Sequence, residues 1–263
     1  MATDGAPAGR EAGGRVVLAG RGVDRVEDGL HTGPDAEVDD RWVHVTATAR
    51  TDPFRVLTED RFSTHGFGTH AHHGIETATV VLDGALAHAD STGGAGVLHA
   101  GDAQWMTAGR GIEHREVAAP GRHVHMLQLW VDLPAGLRDA APGHQELRSA
   151  DRPRFTRPGA VVDVVAGTVD GVVGPARPVS AVQLVLVTLD PGAALALPVP
   201  PAHRAFALVV AGEAAVGDDR PVGLRQTAWS EPGIAGHLAL RGGPAGARLV
   251  VASGPPAAAS AAP

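Results

Sequence analysis

The chain contains no cysteine and no tyrosine, and reading along it finds no lysine and no asparagine. Without cysteine there can be no disulfide, thiolate metal site, iron–sulfur cluster or cysteine nucleophile. Without lysine there is no Schiff-base catalysis, no P-loop lysine and no attachment point for pyridoxal phosphate. All 22 basic residues are arginine, and the missing types are mostly those with A/T-rich codons, so we read the bias as genome composition rather than chemistry. Long apolar runs are also lacking. Val179–Pro200 comes nearest to the roughly 18 apolar residues of a spanning helix, and Asp190-Pro191-Gly192 interrupts it. The first residues carry Asp4, Arg10 and Glu11, with no apolar core for a secretory signal. A net charge of −7 without any block of basic residues lacks the footprint of a nucleic-acid binder. The expectation is a soluble, cytoplasmic protein with no membrane and no direct nucleic-acid partner.

What is present is β-patterned. Short Val-rich runs bounded by Gly, Pro and Asp predict strands at Trp42–Thr46, Ile75–Leu82, Ala85–Asp90, Ala103–Thr107, Glu113–Val117 and His125–Leu133. A second set is predicted at Val161–Ala166, Val182–Thr188, Ala205–Val210, Gln226–Ser230, Gly236–Leu240 and Arg248–Ala252. No segment sustains a helical period, so an all-β fold of sandwich or barrel type follows. Pro134–His144 has room for one helical turn or a loop, and Arg148–Pro158 has the charge and proline of a linker. Val80-Val81-Leu82-Asp83-Gly84-Ala85 resembles Val209-Val210-Ala211-Gly212-Glu213-Ala214, a hairpin turn recurring about 128 residues on, from Gly84 to Gly212. That repeat divides the 263 residues into a first domain over 15–147 and a second over 148–253. The tails 1–14 and 254–263, rich in Ala, Gly and Pro, are predicted to be disordered.

Histidine is the reactive residue in excess: nine of the fourteen lie between His65 and His125. Residues i and i+2 of a strand face one side. His70-Ala71-His72 and His114-Arg115-Glu116 would therefore each present two ligand-type side chains to one face. Together they offer three imidazoles and a carboxylate, a donor set suited to a divalent first-row metal. An isolated H-x-H is weak evidence, and His123-Val124-His125 is a rival pair, so spacing alone leaves metal binding and a surface or core placement both open.

Longer motifs carry a family resemblance. Gly68–Thr77, reading GTHAHHGIET, resembles the first cupin motif in its pirin form, HPHRGFET. Gly101–Glu116, reading GDAQWMTAGRGIEHRE, resembles the second pirin motif at every fixed position. Leu127–Pro134 resembles the pirin LQLWVNLP, and Asp52-Pro53-Phe54 the upstream DPF. The departures are Ala71 and His73, where the pattern has proline and arginine, and Asp132, where it has asparagine. The strong match covers about Asp52–Pro134, and the C-terminal half agrees only in pattern.

The resemblance implies a bicupin, two cupin β-barrels in one chain, with one divalent metal in the first. Fe(II) is the first choice, with Mn, Co, Ni, Cu and Zn as alternatives. The family's ligands carry over onto His70, His72, His114 and Glu116. Glu76, which holds the place of the glutamate ligand of many cupins, is expected to orient a histidine or handle a proton, or to be a buried structural carboxylate. His73 is expected at the rim, His88 hydrogen-bonded rather than ligating, and Trp105, Trp130 and Met106 in the core. No H-x-H or H-x-E follows residue 144, so the second barrel is expected to hold no metal and to cover the first. Pirins include quercetin 2,3-dioxygenases, which implies a flavonol and O2 as substrates, CO as a product, and Glu116 and Glu76 as proton-handling residues. The alternatives are a metal-dependent regulatory protein acting on a protein partner, and a specialised cupin enzyme of secondary metabolism.

Overall fold

The computed structural model describes residues 20–233 and 236–256. The tail predicted over 1–14 and most of that over 254–263 lie outside these residues, although Gly254 closes the last strand. Among the described residues, strands fill two large sheets of ten and nine members, with one 3-10 turn at Ala135–Leu137. The fold is a pair of cupin barrels.

Each barrel turns on one long strand that belongs to both of its walls. Sequence pattern splits the first of these into Ile75–Leu82 and Ala85–Asp90 with a hairpin turn between them. The structure corrects this, because Ile75–Asp90 is a single strand of 16 residues. Leu82 is the extra residue of a β-bulge: Val81 lies opposite Met126 and Asp83 opposite His125. Gly84 follows with φ +82°, and a Cβ there would sit 1.8 Å from the carbonyl oxygen of His123. The bend re-aims the strand. Before it, Glu76–Val80 pair with Ala103–Thr107; after it, Ala85–Asp90 pair with Ala95–His99 and Ile112–Ala118. In the second barrel Arg204–Val216 does the same, with Val210 bulged and Gly212 at φ +70°. The two bulged residues, like the two glycines, are 128 positions apart, so the repeat extends to the irregularity itself. Gly236–Gly254, predicted as two strands, is likewise one.

The barrels are not separate beads. Arg25–Asp28, placed by the sequence reading in the first domain, pairs with Gln226–Ser230 at the edge of the second sheet. The predicted linker is fastened down: buried Arg152 donates to both carboxylate oxygens of Asp163 and to the carbonyl of Leu147, and Arg154–Arg157 pairs with Ala160–Ala166. Phe54, Leu57, Trp105 and Leu129 from the first barrel share one apolar core with Phe206, Leu208, Trp229 and Val250 from the second. Phe54 and Phe206 meet edge to face at 4.9 Å.

The two interiors differ in kind. The second barrel is filled by a continuous Val, Leu and Ala core that includes Ala207 and Val216. The corresponding positions in the first barrel, 128 residues earlier, are Thr79 and His88, both buried. With Gln104, His114, Glu116 and Gln128 they give the first barrel a polar interior. Buried polar groups cost free energy unless paired, so this interior is held for a reason other than packing.

Candidate metal centre

The histidines converge because two strands lie side by side in register. Gly66–His72, which the sequence reading did not predict as a strand, pairs antiparallel with Ile112–Ala118, and His70 lies directly opposite His114. Period-2 alternation puts His72 on the same face as His70 and Glu116 on the same face as His114. The nearest ring nitrogens of His70, His72 and His114 all lie within 4.8 Å of one another. His70 Nε2 and His114 Nε2 are 3.1 Å apart. The two nitrogens are in hydrogen-bond contact, close enough for both to hold one ion if it were bound.

The electrostatics favour lone pairs. Burial, with His70 adding to it, holds the His72 pKa down at about 4; burial and the three neighbouring histidines hold His114 at about 3. Both are therefore neutral near pH 7. The Nδ1–H of His70 donates to the carbonyl of Gly68 at 2.7 Å, which turns its Nε2 inward toward His114. His72 Nε2 and His114 Nδ1 are buried without a hydrogen-bond partner. Buried imidazole nitrogens without a partner are costly in a finished core, and three imidazole rings side by side can offer lone pairs to a cation.

Glu116 stands one step along the same strand, opposite Phe67 and His88. Its carboxylate groups with His88 and His114 rather than with His70 and His72, so His114 is common to both clusters. It accepts a hydrogen bond from Thr79 Oγ1 at 3.1 Å on Oε1 and from the Gln128 amide on Oε2. Full burial pushes its pKa above the usual carboxylate range. His88 has both ring nitrogens engaged: Gln104 donates to Nδ1 and Nε2–H donates to Asp90, each at 3.1 Å. It is hydrogen-bonded, as expected of it.

Glu76 does not face a histidine, which corrects the orienting role expected of it. It is completely buried, and its oxygens accept from Trp105 Nε1 at 3.0 Å, Thr107 Oγ1 at 2.7 Å and the backbone N–H of Val179 and Ser180 at 3.0 Å each, as well as from the Ser180 hydroxyl. It is a structural carboxylate that ties the second barrel's segment leading into Gln183–Leu189 to the first barrel. His123 and His125 are held by Asp83 and Glu59, away from the cluster.

Trp130 also departs from its expected place. Trp105 and Met106 are core residues, whereas Trp130 is half-buried at a cavity wall, with its ring 4.7 Å from that of His72. Its Nε1–H donates to Gln128 Oε1 at 2.9 Å, which links the wall to the Glu116 carboxylate. A cavity of about 330 Å³ opens beside His70, walled by Phe67, Trp130, Val56 and Gln128, with Arg41 and Asp60 at one side. Gln128, Thr79 and Phe67 were not singled out from sequence. The signals for Gln128 are its place in the motif resembling LQLWVNLP and a polar residue set between Leu127 and Leu129.

Comparison with known proteins agrees with this geometry. The Pirin family model matches residues 36–131, and the Pirin C-terminal cupin domain model matches residues 184–261. "Pirin-1" of Arabidopsis thaliana is 40% identical over 167 residues, covering 63% of this chain and 58% of its own length. The chain thus spans a little over half of that relative. "Putative quercetin 2,3-dioxygenase PA3240" of Pseudomonas aeruginosa is 35% identical over 249 residues, covering 86% of this chain and 85% of its own. The crystal structure of GK1651 from Geobacillus kaustophilus superposes with a TM-score of 0.85 at 32% identity, over 92% of this chain and 98% of that one. The polar first barrel, the aliphatic second barrel and the two matched models together show that the chain belongs to the pirin family.

Proposed function

We propose that this chain is a metal-dependent dioxygenase that opens the ring of flavonols such as quercetin with O2, releasing CO. The observation that carries the reading is the convergence of His70, His72 and His114 beside an aromatic-walled cavity large enough for a small ligand. The relative named as a quercetin 2,3-dioxygenase supports the substrate class. His70, His72 and His114 would hold a divalent ion, Fe(II) first among the candidates, and Glu116 would complete the set from beside His114. Such an ion supplies Lewis acidity toward the flavonol 3-hydroxyl and open positions for substrate and O2.

The protein's own residues have defined work. Phe67 and Trp130 flank the flavonol ring, and the His70–Gly68 hydrogen bond fixes the ring orientation of His70. Glu116 accepts the hydroxyl proton on Oε1, where Thr79 is its one hydrogen-bond partner, while Gln128 steadies Oε2. Aerobic incubation of metal-loaded protein with quercetin, following flavonol loss and CO, tests the reading. Turnover that disappears in His70→Ala supports it, and loaded wild-type protein that neither consumes flavonol nor releases CO overturns it.

A further inference from the structure

Trp130 is a partition as well as a wall. Across it from the Phe67 cavity lies a second cavity of about 300 Å³, lined by Ala71, His72, His73, Trp130, Asp132 and Arg138, with Arg55 at its edge. The departures from the pirin motifs already noted, Ala71, His73 and Asp132, together with Ile75 where the pattern has phenylalanine, all line this cavity and none lines the other.

The charges in this cavity do not cancel. Asp132 is paired with Arg55 at 2.9 Å. Arg138 donates from Nε to the carbonyl of Leu133 at 3.2 Å, and no carboxylate among the described residues forms an ion pair with it. Its aliphatic stem lies over Gly74, where a Cβ would stand 3.7 Å from Arg138 Cγ and Cδ. Histidine for arginine at 73 and aspartate for asparagine at 132 both reduce positive charge, and what remains is one uncompensated guanidinium. A planar fork of donors matches a carboxylate, and a single surplus charge matches a monoanion better than a dianion. The rest of the lining is the Trp130 ring and Ile75, which suit one aromatic ring in a space at the small end of ligand cavities.

We propose that this cavity is a binding site for a small aromatic monocarboxylate, its carboxylate on Arg138 and its ring against Trp130. The site adjoins the metal centre through His72 but does not depend on the metal reading. Tryptophan fluorescence during titration with benzoate, benzamide and phenyl phosphate tests it, on protein as purified. Wild-type protein should bind benzoate about ten-fold more tightly than benzamide, and Arg138→Gln should weaken benzoate by about five-fold or more, while Arg122→Gln, at an arginine exposed like Arg138 but outside the cavity, does not. His114→Ala should leave benzoate binding intact, and Asp132→Asn should shift preference toward phenyl phosphate. Equal binding of benzoate and benzamide, no binding by wild type, or full binding by Arg138→Gln would overturn the proposal. Loss in His114→Ala with Arg138→Gln unaffected would also overturn it, since the carboxylate would then sit on the metal centre.

Discussion

Two buried carboxylates on neighbouring strands of the first barrel illustrate how little residue type alone decides. Glu76 and Glu116 are both buried, yet one is saturated by five structural donors and the other sits beside the imidazoles of His88 and His114. Glu76→Gln would turn an acceptor oxygen into a donor against the Ser180 or Trp105 N–H. We expect it to cost about 1–3 kcal/mol, a fall in Tm of roughly 2–4 °C per kcal/mol, with metal stoichiometry unchanged. Differential scanning calorimetry beside metal analysis checks both halves. Gln128→Leu removes the amide from Glu116 and the acceptor from Trp130, and should destabilise by a similar amount while lowering flavonol turnover. Strand parity picks out His70, His72, His114 and Glu116 from sequence because i, i+2 spacing survives wherever a strand forms. Partners such as Gln128 and Thr79 come from other strands, and their side chains meet Glu116 only after the barrel closes.

The Ile75–Asp90 strand shows what periodicity can and cannot carry. Its Val-rich alternation is visible in sequence, and so is Gly84, but a glycine after aspartate reads equally well as a hairpin turn. Only closure of the barrel makes it a bend within one strand. Gly84→Ala should therefore be severe: φ +82° is unfavourable for alanine, and its Cβ would meet the His123 carbonyl. We expect a loss of about 3 kcal/mol or more, read as a lowered denaturant midpoint, because backbone strain and a clash coincide. Gly66–His72 was harder to see. Glycine, threonine and histidine give it no β-branched run, and its strand character comes from pairing with Ile112–Ala118. The registry of that pair makes an H-x-H motif into a convergent cluster.

The molecule as a whole is one polar barrel braced by one aliphatic barrel through a shared core. Phe54→Ala, at that junction, should cost about 3–5 kcal/mol and lower a single unfolding transition for both barrels, as calorimetry would show. Stability should also fall with acid. His203 in the second barrel is buried on Ser253, and burial, then the Arg21 charge, lowers its pKa to about 4. The unfolded chain, with a histidine pKa of about 6.5, binds the proton first, so this contribution is complete above pH 6.5 and is lost as pH falls toward 4. His203→Gln should flatten the slope of stability against pH in that window. The bicupin plan was legible because the pirin motifs and the 128-residue repeat both lie in sequence. The exchange of Arg25–Asp28 into the second sheet was not, since a four-residue strand carries no address for its partner. The account turns on the histidine cluster. Its most direct test is metal content per chain, measured together with aerobic quercetin consumption and CO release, for wild type and His70→Ala. We predict about one ion per wild-type chain with flavonol loss and CO, and loss of both in the variant. A metal-loaded wild-type protein that leaves quercetin intact would contradict it.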